Sequence, residues 1–382
     1  PYTTLFRSPA APAATPADEV APRTTPGPAP ERSRVRIPLR GGEPEIQPPA
    51  QADADFEFAE DGGPQLWRLD LGSPVGCLAV APGGRLLVAG TADGGIGLID
   101  IGRREPLAVL DMHRQNISDL AVSDDGELLL AGSYDGNASL WRLNERTPKL
   151  ALGAHPIAVR AVAISPDGRE ALTADVEGLV IHWNLESGED IRLLLEHSDI
   201  VNDVQFSSDG RLAATAGTDR KVVVWELASG ERRLVVDDFQ SGVNAVAFLD
   251  RGRLLAVGLD GFVVDDDAIA SSGEQTLQLI DVESGARLGR FAPTSDWLLG
   301  LDVSADGSTL VTASGGDPDP RRQGAGQSAV IAVWDVASGR RLATFARHAR
   351  SVSDVAILPD ERRAVSSSLD HTVRLWRLPA AE

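Results

Sequence analysis

The chain repeats itself every 42 residues: His113, His155 and His197 stand at that spacing, Phe239 takes the next equivalent place, and Leu71 lies one interval before His113. The next two intervals, 239 to 294 and 294 to 348, are 55 and 54, so two units carry insertions of 13 and 12 residues. Without those insertions, the 319 residues from 64 to 382 divide into seven units of 42. A unit this short cannot bury both of its faces alone, so neighbours must stack on one another.

Within a unit, four short runs alternate with period two and are separated by turn residues, the pattern of four antiparallel strands. In the second unit these runs are Ile117 to Val122, Glu127 to Gly132, Ala138 to Leu143 and Lys149 to Leu152, here called strands a, b, c and d. Asp124-Asp125-Gly126, Asp135-Gly136-Asn137 and Asn144-Glu145-Arg146 join them. The turns recur as Ser165-Pro166-Asp167-Gly168 and Ser208-Asp209-Gly210 after strand a, and as Glu186-Ser187-Gly188 and Ala337-Ser338-Gly339 before strand d. Gly, Asn and Asp suit tight hairpins because they adopt positive φ or satisfy the turn backbone with a side chain.

Four strands per unit of this length point to the blades of a propeller. Trp141, Trp183, Trp225, Trp334 and Trp376 sit near the ends of the strand c runs, and Trp334 is followed by Asp335. In these features residues 64–382 resemble the WD40-repeat (WD-repeat) family. The resemblance implies an all-β, seven-bladed β-propeller of four-stranded antiparallel blades. The last unit lacks its own strand d, and Gln65 to Asp70 matches the missing strand, so the N-terminal strand is expected to close the ring and remove an exposed edge.

The segment 1–63 holds 12 of the 24 prolines and reads as a disordered Pro/Ala-rich linker, unable to bury enough surface to offset its ordering entropy. Residues 1–8 resemble a translated adaptor, and the natural N-terminus is expected to lie elsewhere. Arg32, Arg34, Arg36 and Arg40 form a basic island suited either to solvent or to an acidic surface.

Charge restricts the partners. With 36 basic and 56 acidic side chains, the net charge of −20 disfavours nucleic acid and anionic membranes. Cys77 is the only cysteine, which excludes an intramolecular disulfide and a cysteine-based zinc site. No apolar run reaches the roughly 18 to 20 residues that span a bilayer. The expectation is a monomeric, cytoplasmic, non-membrane protein without a cofactor or metal, from a bacterial source on its Arg and Ala usage.

His113, Ser133, Asp135 and Trp141 lie at offsets 0, 20, 22 and 28, and His348, Ser368, Asp370 and Trp376 repeat them. The residue types suit a nucleophilic triad. An active site, however, is needed once, whereas these recur. The family resemblance implies instead structural tetrads, in which the Trp indole donates to Ser, Ser to His, and His to Asp. Other units look incomplete: His155 faces Asp175, Glu177 and Trp183, and His197 faces Gly217, Asp219 and Trp225, with no serine in either. No catalytic residue is assigned.

Both insertions fall between strands b and c, at 260–275 and 315–328, on the face that carries the d–a loops and b–c turns. Family binding positions, carried over, place Trp297, Tyr134, Arg160, Asn116, Asn202, Asn244 and Leu299 there, and the insertions add Arg321 and Arg322. Asp265, Asp266 and Asp267 suit either a solvated acidic loop or a calcium ion, although the alternating acidic spacing is missing. The expected function is a noncatalytic protein–protein interaction scaffold that takes a protein or peptide on this face. The alternatives are a sensory or regulatory C-terminal domain of a larger signalling enzyme, such as a bacterial Ser/Thr kinase, and a metal-dependent propeller hydrolase.

Overall fold

A computed structural model describes residues 46–47, 57–58, 63–153, 155–265, 268–289, 291, 297–315 and 329–379. Seven antiparallel sheets follow one another in chain order, each with its first strand innermost. In blade 2 the order from the rim inward is Thr147–Leu152, Ala138–Arg142, Leu128–Ser133 and Ile117–Val122. The inner strands touch in sequence around the ring, and Val352–Ile357 of blade 7 returns to Val75–Val80 of blade 1.

Closure works as expected. Gln65–Asp70 pairs antiparallel with Thr372–Arg377 and supplies the outer strand of blade 7. Two short strands fall inside the segment read as a linker: Ile46–Gln47 pairs with the outer strand of blade 1, Glu105–Asp111, and Glu57–Phe58 pairs with Gln65–Asp70. The adaptor-like start and the basic island lie outside the described residues.

In blade 5 the described residues pair as Val243–Leu249, Leu254–Leu259 and Leu277–Asp281, and on the outer side Ile280 bridges Arg287 and the Leu288 N–H donates to Leu279 O. The first insertion forms a hairpin of its own, Phe262–Asp265 with Ala268–Ser271. The side chain of Asp265, and all of Asp266 and Asp267, lie outside the described residues.

Alternation along the strands places apolar side chains on both faces of every blade, and each face packs on a neighbour. The buried side chains accordingly fall into seven clusters among the described residues, one in each seam between adjacent blades. Five seams hold a strand c tryptophan: Trp141 between blades 1 and 2, Trp183 between 2 and 3, Trp225 between 3 and 4, Trp334 between 5 and 6, and Trp376 between 6 and 7. Blade 1 has Ile99 in the tryptophan slot, and its seam with blade 7 is filled by Trp67 from the closing strand.

Candidate interaction face

The b–c turns and d–a loops interlock on one face. Gly94 and Gly178 sit in b–c turns at φ of 94° and 93°, where a Cβ would come within 2.6 and 2.5 Å of the carbonyls of His113 and His197 on the following blade. Only glycine permits that approach without strain.

Four histidines anchor these loops. In blade 2, Trp141 Nε1 donates to Ser139 Oγ at 2.8 Å, His113 Nε2 lies 2.7 Å from the same hydroxyl, and His113 Nδ1 lies 3.0 Å from Asp135 Oδ2. With Nδ1–H donating to the Asp135 carboxylate, Nε2 is free to accept from the Ser139 hydroxyl, and every donor of the network is satisfied. Blade 7 repeats the network as Trp376, Ser366, His348 and Asp370. The tetrad serines are therefore Ser139 and Ser366. Ser133 and Ser368 lie outside these networks: their hydroxyls donate to Gln115 O and Arg350 O and accept the N–H of Asp135 and Asp370.

Blades 3 and 4, expected to be incomplete, have full networks with threonine as the hydroxyl. Trp183 and His155 meet at Thr173, with Asp175 on the other ring nitrogen at 2.9 Å. Trp225 and His197 meet at Thr215, with Asp219 at 3.0 Å. Glu177 and Gly217 supply no side-chain bond to these histidines. The hydroxyl matters for its position, and Ser or Thr serves equally.

Electrostatics follow the geometry. Asp135, Asp175, Asp219 and Asp370 are pulled below the ordinary carboxylate value, against their own burial, by the histidine bond and by backbone N–H groups from the turn or loop. Burial lowers His348 in turn. We expect Ser139→Ala to cost about 1–3 kcal/mol, because it leaves the fully buried Trp141 indole N–H without its acceptor, and Ser133→Ala to cost less, because half-buried Asp135, whose N–H Ser133 accepts, can turn to water. Urea unfolding of the two variants checks this, and the reverse order would return the role to Ser133.

Asn202 and Asn244, expected on the binding face, clamp neighbouring blades together, and Ser118 and Ser353 do the same. Ser118 Oγ donates to Val159 O, Asn202 Nδ2 to Val243 O, Asn244 Nδ2 to Leu298 O, and Ser353 Oγ to Val75 O, in each case to the first inward position of the next inner strand. Deeper in, aspartates make a second ring of bonds. Asp119, Asp203, Asp302 and Asp354 accept the backbone N–H of Val162, Val246, Ile357 and Leu78 on the following blades.

These inner strands enclose a central channel of about 610 Å3, lined by Cys77, Arg160, the four aspartates, Asn202 and Leu299 among others. Desolvation pushes Asp354 up to about 8, Asp119 up to about 7, and Asp203 and Asp302 each up to about 6. The Arg160 guanidinium opposes the shift at Asp119 and Asp203. Burial also raises the Cys77 thiol, whose Sγ contacts Ile117 O at 3.5 Å.

The remaining candidates are dispersed. Arg160, Asn202 and Leu299 meet at the channel, whereas Trp297, Tyr134, Asn116 and Asn244 do not line it. Tyr134 is 39% exposed in blade 2, beside Asn116, the residue before strand Ile117–Val122, and the Asn116 carbonyl accepts the Tyr134 N–H. Trp297 opens the inner strand of blade 6, half-buried, with its ring laid over the backbone of Gly315 on the paired strand. A Cβ at Gly315 would approach Trp297 Cε3 to 2.8 Å. Arg321 and Arg322 lie outside the described residues.

Among the described residues, no three His, Cys, Asp or Glu side chains are grouped to hold a metal, and no helix is long and apolar enough to cross a membrane. Residues 67–100, 104–142, 188–226 and 339–377 match the family model described as WD domain, G-beta repeat. No curated protein matches the chain.

Proposed function

The chain is a WD40-repeat β-propeller, and from that premise we propose that it is a noncatalytic interaction platform that takes a protein or peptide on the face of the d–a loops and b–c turns. The observation that carries this reading is how the His, Asp, hydroxyl and Trp groups are used. In four blades they tie a loop to a turn, which makes a stiff face rather than a reaction centre. A rigid face keeps the entropic cost of binding low.

On that face Trp297 and Tyr134 are the side chains best suited to anchor a partner, since large aromatics concentrate interface energy. They stand on blades 6 and 2, so one peptide reaching both would cross the channel mouth beside Arg160. Affinity capture with the full chain tests the site. Trp297→Ala is expected to reduce partner recovery at least tenfold while leaving the thermal midpoint within a few degrees. Equal recovery by the parent and by Trp297→Ala would reject Trp297 as the anchor.

A further inference from the structure

A second surface lies on the rim. The outer strand of blade 3, Asp190–Leu195, carries Ile191, Leu193 and Leu195 at 45%, 38% and 67% exposure, half of the large exposed hydrophobic residues among those described. Alternation places Leu193 and Leu195 on one side of the strand, and Ile191 stands at a bulge opposite His182 and Trp183. The equivalent positions are Lys149, Ala151 and Gly153 in blade 2, and Arg233, Val235 and Asp237 in blade 4. A bare outer strand exposes a row of backbone N–H and C=O groups, and soluble proteins guard such edges with charge. Here the one basic residue within the strand is turned away, because Arg192 Nη1 donates to Leu227 O.

The ring itself shows what such an edge accepts. The outer strands of blades 1 and 7 each hold a fifth, antiparallel strand, Ile46–Gln47 on Glu105–Asp111 and Glu57–Phe58 on Gln65–Asp70. The blade 3 edge exposes large apolar side chains, which neither of those two outer strands does, and no strand pairs with it among the described residues.

We propose that the outer edge of blade 3 is a docking site for an extended peptide of alternating apolar and basic residues, added as a fifth antiparallel strand. Main-chain bonds supply affinity in this mode and alternate side chains supply specificity. Apolar residues of the peptide continue the stripe of Leu193 and Leu195. Basic residues meet the exposed Glu186, Glu189 and Asp190 at the start of the strand, in the field of a chain with net charge −20. A second copy of the chain fits poorly, since antiparallel pairing centred on Leu193 would set Asp190 against Glu196 of the other copy.

The test uses the full chain and a fluorescein-labelled ten-residue peptide of alternating Val and Lys, followed by fluorescence anisotropy. Saturable binding is expected, weakened at least tenfold by Leu193→Lys combined with Leu195→Lys and unchanged by Val235→Lys on blade 4. Methylating alternate backbone nitrogens of the peptide, or replacing its Lys by Glu, is expected to weaken binding at least tenfold as well. All three positions are exposed, so the variants should melt within a few degrees of the parent. Absence of saturable binding, equal binding by the double variant, or equal binding of the methylated peptide would overturn the proposal. So would a parent dimer in sedimentation that the double variant dissolves, which would identify a second copy as the occupant.

Discussion

Deleting residues 64–71 should lower the thermal midpoint by more than about 10 °C or abolish cooperative unfolding, the largest effect expected of any change described here. The segment contributes the whole Gln65–Asp70 strand and its register with Thr372–Arg377. It also contributes Trp67 and Leu69, both fully buried in the seam between blades 7 and 1. Truncating a core Trp costs about 3–5 kcal/mol and a core Leu about 2–5 kcal/mol. The site cannot relax to recover this, because blade 1 has Ile99 where other blades have tryptophan, and Trp67 is the indole filling that seam. Deletion also bares Thr372–Arg377 as an apolar edge, so aggregation should accompany the loss. Thermal unfolding followed by circular dichroism measures the midpoint, and a synthetic peptide of residues 64–71 added in trans should restore part of it. An unchanged midpoint would mean that the ring is held closed by other contacts.

The second large effect is a fall in stability as pH rises. Asp354, Asp119, Asp203 and Asp302 have folded values raised to about 8, 7, 6 and 6 by desolvation in the channel wall. In the unfolded chain they titrate near 3.9. Between those limits the native state holds more protons than the unfolded state, so stability decreases with rising pH, from about 4 up to about 8. On the acid side the sign reverses. Asp135, Asp175, Asp219 and Asp370 have lowered values, so their contribution is present above the unfolded value and is lost as pH falls through their folded values. His348, also lowered, loses stability as pH falls below its unfolded value.

Stability is therefore expected to peak at about pH 4, where the acid and alkaline limbs cross. The four channel carboxylates remain partly open to the channel, and solvation there trims the effect. A fall in midpoint of about 5–10 °C between pH 5.5 and 8.5 corresponds to a few kcal/mol. Asp354→Asn together with Asp119→Asn should flatten the alkaline limb, since Asn cannot ionise, and should leave the acid limb in place. A parent midpoint that rises from pH 5.5 to 8.5 would show that these carboxylates are ionised throughout that range.

Some of the site was legible in the chain and some was misread, for identifiable reasons. The histidine and aspartate partners of blades 2 and 7 follow from a shared offset, because both residues sit at fixed places in a repeated loop and turn. The hydroxyl did not. Ser133 and Ser368 share an offset because both brace the b–c turn, but they lie two residues, about 6–7 Å along a strand, from the level that Ser366 occupies in strand b. In blade 2 that level holds Ala131, and Ser139 reaches it from strand c instead. Thr173 and Thr215 stood at the right offset of 18 from their histidines and were passed over because the pattern sought serine.

Asn202 and Asn244 show the converse. Their recurrence with Ser118 and Ser353 at equivalent places was a sequence signal of a structural clamp, by the same logic that reads repeated histidines as structural. The channel aspartates left a similar trace, since Asp119 and Asp203 are two repeats apart, but Asp302 is displaced by two residues and escapes the count.

What the amino-acid order determined by itself was the number of units, their four-strand pattern and the origin of the closing strand. Period and alternation are local properties, and a chain with seven similar half-buried sheets can hide them only against one another. What tertiary structure decided was which atoms meet across the seams: which hydroxyl takes the indole proton, which carboxylates are desolvated, and which outer edges already hold an added strand. These depend on packing between residues about 40 to 300 positions apart, where a shift of one pleat exchanges one hydrogen-bond partner for another while the repeat pattern stays the same.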